Sequence, residues 1–578
     1  MPGDRHVGEM ILSYSRMWKA LVPWRLVLVV LFLAVTNIHA NVRYRIGLLY
    51  HNFDGMDGVL VFAMLWLLSV FGILAISRIR SRLYKGVFLL VFFGFTFFGV
   101  AFEYSIGTQL KYDNFAIAWE GRAHGADAIG FYWGSIVVAF LVSAVGCAAI
   151  STSRAAHRPA GSDPVTPERG VLGFPGVAGF VASLPFFAVC ALLFVRGGSG
   201  SDGLPIQYKA PALFAMVLVN EAFAEIPERR KVEVGPVEKG IRNIVLIVDE
   251  SVRGDYASSS ELLPSLGRMS RYRHDFGIAV SATNCSAGSN MTLRMGAAQK
   301  GFQDTINLNP YIWDYARRAG YRSVFVEAQY IRGRLNNRIS LDEKARIDEF
   351  IWADGRDRFS RDLAAARLVR SWIRREGKHF VYVVKSGIHF PYEGSYDVES
   401  AHYHPHMDGM VVPDRERMRN SYKNAIRYAI DGFFRELAEG GLDLSDSIII
   451  YTSDHGQNLL DNGSQLTHCS VDNSTTSEVL VPLMVFSGQP QIVEKLRKYA
   501  VINRDKLSHF NIVPTILEVM GFPPTDGSST IFDRVDDARG FYTGVVRVGN
   551  RSGPGKFNQL RFVPVSAAEV GRHRNDVR

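Results

Sequence analysis

The pattern of apolar and polar residues changes near residue 200. Before that point apolar residues form long runs, and after it short apolar runs alternate with amphipathic segments. Five of the long runs have the length that a helix needs to cross a bilayer. They lie near residues 20–40, 58–77, 86–107, 129–150 and 173–195. Residues 1–200 are therefore predicted to form a bundle of five transmembrane helices.

Basic residues in the connections predict the orientation of this bundle. The N-terminal segment, the second connection and the fourth connection are rich in Arg and Lys, and the first and third are poorer. Basic loops stay on the cytoplasmic side. No small-residue cleavage site follows the first run, which favours a retained anchor over a signal peptide. An odd number of spans then places everything after Val195 outside the cytoplasm.

Residues 201–231 are predicted to be a linker. A Gly- and Ser-rich break at 196–205 is followed by an apolar run at 209–228 with glutamates toward its end. This run predicts an amphipathic helix at the membrane surface, with a sixth span as the alternative.

Residues 232–578 have the pattern of a separate α/β domain. Apolar runs at 244–248, 321–327, 380–384, 447–452 and 479–486 alternate with helix-like segments at 311–319, 360–375, 414–437 and 512–520. Strands that are apolar throughout and separated by amphipathic helices predict a mainly parallel sheet sandwiched by helices. Ligands of such folds gather beyond the carboxyl ends of the strands.

The amino-acid composition limits the kinds of binding partner that we expect for this chain. The formal net charge of +9 suits anionic membrane surfaces. Nucleic acid is not expected, because the basic residues are scattered and form no recognition motif. Cys147 and Cys190 lie in apolar runs and are expected to be core residues, whereas a Cys285–Cys469 disulfide stays open.

Two of the predicted strands end in side chains that bind metals. Asp249-Glu250 follows the run 244–248, and Asp454-His455 follows the run 447–452. Carboxylates and imidazoles are costly to bury unless they are compensated, and a divalent cation compensates them. Mixed oxygen and nitrogen ligands favour zinc, with manganese as the alternative. We expect one tight site, with a second metal ion left open.

A small-residue loop at 284–292 leads into a predicted helix. A serine hydroxyl at a positive helix end and facing a metal ion would be a good nucleophile. An ordinary N-cap serine is the alternative interpretation. His389 and His468 lie in loops, and together with the metal ligands they suit phosphate contact or protonation of a leaving group.

Four segments together resemble a known family. They are Asn243–Asp255, the Cys285–Ser289 loop, Ser386–Pro391 and Ser453–Gly456. Their order is similar to that of membrane phosphoethanolamine transferases, which are inner-membrane enzymes with an alkaline-phosphatase/sulfatase-like catalytic domain. Five spans before an exported domain also resemble this family.

The resemblance implies roles for individual residues. Glu250, Ser289, Asp454 and His455 would be the zinc ligands, and Ser289 would be the nucleophile, four residues after a cysteine. His389 and His468 would contact the substrate phosphate. Asn114, Arg332, Arg334 and Gln457 are further expected to contact substrate. Met295 replaces the family's second cysteine, and Gln457 replaces its usual glutamate.

The resemblance also implies a reaction and a location. Phosphatidylethanolamine would be the donor, and an envelope glycolipid or glycan such as lipid A would be the acceptor. The protein would be a monomer in the bacterial inner membrane, with its catalytic domain in the periplasm. The alternatives are a phosphoglycerol transferase, a phosphodiesterase or other hydrolase of the same superfamily, and an inactive membrane scaffold or sensor. A sulfatase is disfavoured, because the loop lacks a Cys/Ser-x-Pro-x-Arg pattern.

Overall fold

The computed structural model describes two compact units, one up to residue 223 and one from residue 226 onward. The residues that it describes are 24–52, 56–79, 81–120, 125–151, 176–223, 226–237, 240–329, 333, 335–407, 414–461, 463–464, 466–524, 527–535, 539–549 and 560–576.

The first unit is helical. Its helices are Trp24–Thr36, Val42–Asn52, Met56–Ile76, Arg82–Ile106, Tyr112–Glu120, Gly125–Ser151, Val177–Val195 and Ile206–Ala222. Four of its described segments, 56–76, 82–106, 132–151 and 177–195, are long and apolar enough to cross a membrane. In place of the first expected span lies a pair of helices, Leu26–Thr36 and Ile38–His51, bent by 63°. The described residues therefore contain four candidate spans, or five if the bent pair counts as one.

The helix Ile206–Ala222 lies within the first unit. The sequence predicted a helix at 209–228 on the membrane surface, but this helix begins earlier, ends earlier and is buried along much of its length. The ammonium group of Lys209 lies 2.9 Å from the carboxylate of Glu103, and both side chains are almost completely buried. Because Glu103 compensates the charge of Lys209, this lysine can be buried among the helices.

The second unit contains a seven-stranded sheet and a two-stranded sheet. The strands of the larger sheet are β1 (Asn243–Asp249), β2 (Arg273–Val280), β3 (Arg322–Glu327), β4 (Glu349–Trp352), β5 (His379–Val384), β6 (Ser447–Ser453) and β7 (Leu480–Ser487). Their order across the sheet is β2-β7-β6-β1-β5-β3-β4. Strands β8 (Arg539–Thr543) and β9 (Arg561–Val565) form the smaller sheet.

The larger sheet is mixed. Strands β6, β1, β5, β3 and β4 are parallel neighbours, whereas β7 is antiparallel to both β6 and β2. The sequence predicted β1, β3, β5, β6 and β7 but missed β2 and β4, which occupy the two edges. Strand β2 begins with Arg273, His274 and Asp275, and β4 has only four residues. Edge strands of this kind lack the continuous apolar run that marks a central strand.

Helices cover both faces of this sheet. The helices of seven or more residues in this unit are Ser286–Met295, Phe302–Leu308, Ile312–Arg318, Arg358–Arg374, Arg415–Ala425, Asp431–Leu437, Pro490–Ile502, Ile512–Met520 and Ala567–Asp576. On one face Trp313 packs against Tyr382 of β5, with ring centroids 5.6 Å apart. On the other face Phe434 packs against Tyr451 of β6 at 4.9 Å. The central strands are thus buried on both sides, as their uniform apolar sequences require.

Candidate metal site and nucleophile

The carboxyl ends of β1 and β6 lie side by side. The two strands pair in parallel with Asp249 opposite Ser453, so Glu250 and Asp454 leave the sheet at the same level. Strand β5 pairs with β1 on its other side and ends opposite Val248 at Val384. This register brings residues that are 200 positions apart in the sequence to one edge of the sheet.

Glu250, Asp454 and His455 form one buried cluster. An oxygen or nitrogen atom of each side chain lies within 4.8 Å of the others. His455 Nε2 is 3.3 Å from Glu250 Oε1 and 3.8 Å from Asp454 Oδ1. Together they offer two carboxylates and one imidazole, a ligand set that zinc accepts.

Hydrogen bonds orient this cluster for metal binding. His455 Nδ1 lies 2.6 Å from the carbonyl oxygen of Gly456, so Nδ1–H donates to it and Nε2 faces the carboxylates. Asp454 Oδ1 accepts hydrogen bonds from the backbone N–H groups of Ser251 and His455. Asp454 Oδ2 is buried and has no hydrogen-bond partner among the described residues. A cation at this point would satisfy that oxygen.

The electrostatics of the cluster also favour a cation. Burial, and then the charge of Glu250, raise the pKa of Asp454 well above its usual value. Burial would lower the pKa of His455, but the carboxylates of Asp454 and Glu250 raise it to about 9. Without a cation, it is therefore unfavourable for both Glu250 and Asp454 to be ionised. A divalent ion would compensate the two negative charges.

Ser286 meets this cluster. Its Oγ lies 3.1 Å from His455 Nε2 and 3.4 Å from Glu250 Oε2. Ser286 is the first residue of the helix Ser286–Met295, where the backbone N–H groups and the helix dipole favour an anion. The hydroxyl thus lies both next to the cluster and at a helix terminus that favours an anion.

Ser289, which the sequence assigned as nucleophile and ligand, lies elsewhere. Its hydroxyl is buried, lies 3.0 Å from the carbonyl oxygen of Thr283 and accepts from the backbone N–H of Thr283 at 3.2 Å. The helix begins at Ser286, so Ser289 is roughly one turn further along the axis. The structure therefore brings Ser286, rather than Ser289, to the cluster.

Both expected histidines lie beside the cluster. The imidazole of His468 stacks on that of His455, with ring centroids 4.3 Å apart. His389 packs edge-on against His468 at 6.1 Å. Two further imidazoles thus extend outward from His455, and a phosphate beside them could accept hydrogen bonds from them.

Gln329 was missed by the sequence analysis. Its Nε2 donates to Glu250 Oε2 at 2.8 Å, and its Oε1 accepts from the side-chain amides of Asn336 and Asn337. Gln329 lies two residues beyond Glu327, the end of β3. The rule that ligands gather at the carboxyl edge of the strands could have identified it.

The other expected substrate contacts are not part of this cluster as described. Gln457 is buried and donates from Nε2 to the hydroxyl of Tyr392 at 2.8 Å. Asn114 lies in the first unit, where its Oδ1 accepts from the backbone N–H of Lys111. Arg332 and Arg334 lie outside the described residues.

A buried ion pair supports the end of β1. Lys385 Nζ donates to Asp249 Oδ2, and both side chains are fully buried. The hydroxyl of Tyr451 donates to the same oxygen at 2.7 Å, while Asp249 Oδ1 accepts from the backbone N–H of Glu250. This network holds the backbone that carries Glu250.

Replacing Lys385 tests the importance of this pair. Lys385→Met leaves the Asp249 carboxylate buried without its cation, and loss of one partner of a buried pair costs about 3–5 kcal/mol. We expect a clear fall in the thermal unfolding midpoint of the detergent-solubilised protein. Lys300→Met, at an exposed position, is the control and should change the midpoint little. Equal midpoints for the two variants would contradict this account of β1.

Comparisons with known proteins identify the second unit. Residues 242–522 match the family model named Sulfatase. No curated protein matches the chain. The solved integral membrane protein lipooligosaccharide phosphoethanolamine transferase A of Neisseria meningitidis is similar over 86% of this chain and 96% of its own, at 15% identity and a TM-score of 0.59. The zinc complex of the C-terminal periplasmic domain of EcEptC from Escherichia coli is similar over 58% of this chain and 96% of its own, at 16% identity and a TM-score of 0.45.

The two kinds of comparison address different parts of the chain. The family match lies within the second unit and includes Glu250, Ser286, Asp454 and His455. The likeness to the Neisseria protein covers most of the chain and concerns the fold. Residues 242–522 therefore match the Sulfatase family model, in a chain whose fold is similar to that of the integral membrane protein from Neisseria meningitidis.

Proposed function

We propose that this protein transfers phosphoethanolamine from phosphatidylethanolamine to an envelope glycolipid or glycan such as lipid A. The observation that carries the proposal is the position of Ser286, at a helix N-terminus and within 3.1 Å of His455 Nε2. A nucleophile, a metal-ligand set and an anion-binding helix end converge there, which suits phosphoryl transfer. The fold shared with the Neisseria transferase supports this reaction class.

Glu250, Asp454 and His455 would hold the metal ion, which we propose is zinc. Asp454 Oδ2, which has no hydrogen-bond partner among the described residues, and His455 Nε2, which faces the two carboxylates, fit a cation that takes nitrogen and oxygen ligands. The Ser286 hydroxyl, close to two of these side chains, suits a fourth ligand position. When bound, zinc would lower the pKa of the serine hydroxyl and neutralise charge on the phosphoryl oxygens.

Transfer would then occur in two displacements at phosphorus. Ser286 Oγ attacks the phosphorus atom of the donor, and the bond from phosphorus to the diacylglycerol oxygen breaks. Phosphoethanolamine remains on Ser286 while diacylglycerol leaves with a proton. An acceptor hydroxyl or phosphate oxygen next attacks the same phosphorus atom and releases Ser286.

His468 and His389 would serve the phosphate and the leaving group. Their rings lie in sequence from His455 outward, at 4.3 and 6.1 Å between successive centroids. An imidazolium there can donate to a phosphoryl oxygen or protonate the departing alkoxide. Gln329 would keep Glu250 oriented through its 2.8 Å hydrogen bond.

The sequence of the loop at 284–292 does not fit a sulfatase activity. Sulfatases modify a Cys or Ser within a Cys/Ser-x-Pro-x-Arg pattern, and this chain has Gly288 and Asn290 where Ser286 would require Pro and Arg. Cys285 forms a disulfide with Cys469 and so has no free thiol for modification. Ser286 as an unmodified nucleophile is the consistent alternative.

We propose that the first unit anchors the enzyme in the bacterial inner membrane as a monomer. Counting the bent helix pair as one span makes five spans. The distribution of basic residues then places the second unit in the periplasm. Anchoring suits the reaction, because a two-chain lipid donor does not readily leave the bilayer.

The function can be tested with a labelled donor. Purified protein in detergent or vesicles is incubated with phosphatidylethanolamine labelled in the ethanolamine and with fractionated envelope glycolipids. We expect label in a glycolipid fraction and release of diacylglycerol. Label appearing only as free phosphoethanolamine would indicate a hydrolase, and a donor left intact would contradict the proposal.

Metal removal is a separate prediction. Chelation should lower turnover by about 1,000-fold, since a metal ion of this kind supplies several kcal/mol of transition-state stabilisation. Zinc at about 100 times its Kd should restore turnover and stabilise the folded protein by about 2.7 kcal/mol. Turnover and metal content are measured on the same samples. Full turnover by protein that metal analysis shows to be metal-free would exclude this mechanism.

A further inference from the structure

The disulfide between Cys285 and Cys469 joins the two loops that carry the proposed reacting groups. Cys285 directly precedes Ser286, and Cys469 directly follows His468. Their Cα atoms are 4.8 Å apart, although they are separated by 184 positions in the sequence. A nucleophile and a phosphate-contacting imidazole are therefore each one residue from the same covalent bond.

Hydrogen bonds continue this connection. The backbone N–H of Cys469 donates to the carbonyl oxygen of Asn284 at 2.8 Å. The side-chain amide of Asn284 donates to the carbonyl oxygen of Ser470 and to Glu478 Oε2. The backbone N–H of Ser470 donates to the same Glu478 oxygen. The two loops thus form one linked loop pair, with the disulfide at its centre.

Contacts also connect this loop pair to the proposed metal ligands. The carbonyl oxygen of Glu478 accepts a hydrogen bond from the backbone N–H of Gly456, at 2.9 Å, next to His455. The ring of His468 rests on that of His455. The position of His468 relative to Ser286 thus depends on this linked loop, whereas His455 is also held by the end of β6.

The loop around Cys469 has little regular structure to hold it. The described residues between Gln457 and Thr475 form neither helix nor strand. Cys469 has a left-handed backbone with φ of 59°, which a residue other than glycine keeps when its surroundings hold it there. The bond to Cys285 supplies such a restraint.

We propose that the Cys285–Cys469 disulfide positions His468 against Ser286, so that its reduction slows transfer while the metal ion stays bound. Reduction by an added dithiol takes up two electrons and two protons, breaks one S–S bond and leaves two thiols, while the dithiol becomes a cyclic disulfide. Glu250, Asp454 and His455 are placed by β1 and β6 and remain in position. Displacement of a reacting group by about 1 Å costs roughly 100-fold in rate.

The inference rests on the proposed transferase function, and its test has readouts with and without activity. The zinc-loaded full-length protein is measured oxidised, after reduction with dithiothreitol, and after reoxidation, alongside the double variant Cys285→Ser/Cys469→Ser. The control is Cys147→Ser/Cys190→Ser, which removes the two free cysteines of the first unit. We expect kcat to fall by about 100-fold on reduction, with little change in KM and zinc content, and to recover on reoxidation.

Hydrogen exchange and zinc content distinguish the possible results of this experiment. Hydrogen exchange at residues 284–286 and 466–470 should increase on reduction while β1 stays protected, and this readout needs no substrate. Unchanged exchange, or an unchanged kcat in reduced protein whose thiols are shown to be free, would overturn the inference. Loss of zinc together with activity would assign the disulfide a structural role and equally overturn it. Inactivity of the oxidised protein would instead count against the transferase function, and the exchange result would still decide the inference.

Discussion

Ser286→Ala is expected to lower turnover by about 1,000-fold or more while the protein keeps its metal ion and its fold. Of the two serine hydroxyls in this helix, that of Ser286 contacts the proposed ligand atoms, at 3.1 Å from His455 Nε2 and 3.4 Å from Glu250 Oε2. Its loss removes the atom that would attack phosphorus. Initial rates with labelled phosphatidylethanolamine, together with metal analysis and a thermal unfolding curve, measure the three properties.

Ser289→Ala is the matched control in the same helix. The Ser289 hydroxyl is bonded to Thr283, so its removal should cost about 1 kcal/mol of stability, as for a typical buried hydrogen bond. Turnover should stay within about tenfold of the wild type. The opposite pattern, an active Ser286→Ala and an inactive Ser289→Ala, would restore the assignment made from the sequence.

Asp454→Asn is expected to abolish zinc binding at stoichiometric concentrations and, with it, activity. The amide removes a negative ligand from a site whose ligand atoms lie within 4.8 Å of one another. Zinc should raise the thermal unfolding midpoint of the wild type but no longer that of the variant. The metal-free variant should itself unfold at or above the midpoint of the metal-free wild type, because it no longer places two carboxylates together in a buried site.

Asp304→Asn is the control for this prediction, since Asp304 is exposed and lies in the helix Phe302–Leu308. It should keep zinc, activity and the midpoint of the wild type. Zinc titrations followed by metal analysis and thermal unfolding measure both variants. Stoichiometric zinc in Asp454→Asn would show that the ion binds somewhere other than at this cluster.

The central strands and the clustering of Glu250, Asp454 and His455 could be predicted because one local feature marks both. Strands β1 and β6 have apolar centres, at 244–248 and 448–451, and the strands are followed at once by Glu250 and by Asp454-His455. Parallel pairing then brings such strand ends together. The edge strands β2 and β4 have no comparable local signal, because they are polar at one end or very short.

The serine that lies next to the cluster, Ser286, could not be located in the same way. Counting four residues from Cys285 assumed the family's spacing, but here Cys285 pairs with Cys469 across 184 positions. The start of the helix determines which hydroxyl reaches the ligands, and it begins at Ser286. Helix boundaries shift by a residue or two with capping and tertiary contacts, so two serines three residues apart could not be told apart by the sequence alone.

The sequence pattern also could not predict contacts between segments that are distant along the chain. Gln329 holds Glu250 through a side chain that lies 79 positions away. Lys385 and Asp249 are paired across 136 positions, beneath the site. Each residue by itself resembles an ordinary polar residue after a strand, and only the packed sheet edge shows its partner.

Mass spectrometry of the donor-treated protein tests the central claim most directly. After incubation with phosphatidylethanolamine in the absence of acceptor, reduction and tryptic digestion yield a peptide that contains both Ser286 and Ser289, and fragmentation distinguishes the two positions. We predict one phosphoethanolamine group on Ser286 and none in the Ser286→Ala variant. A phosphoethanolamine group on Ser289, or its absence from both serines in protein that turns over the donor, would contradict the account.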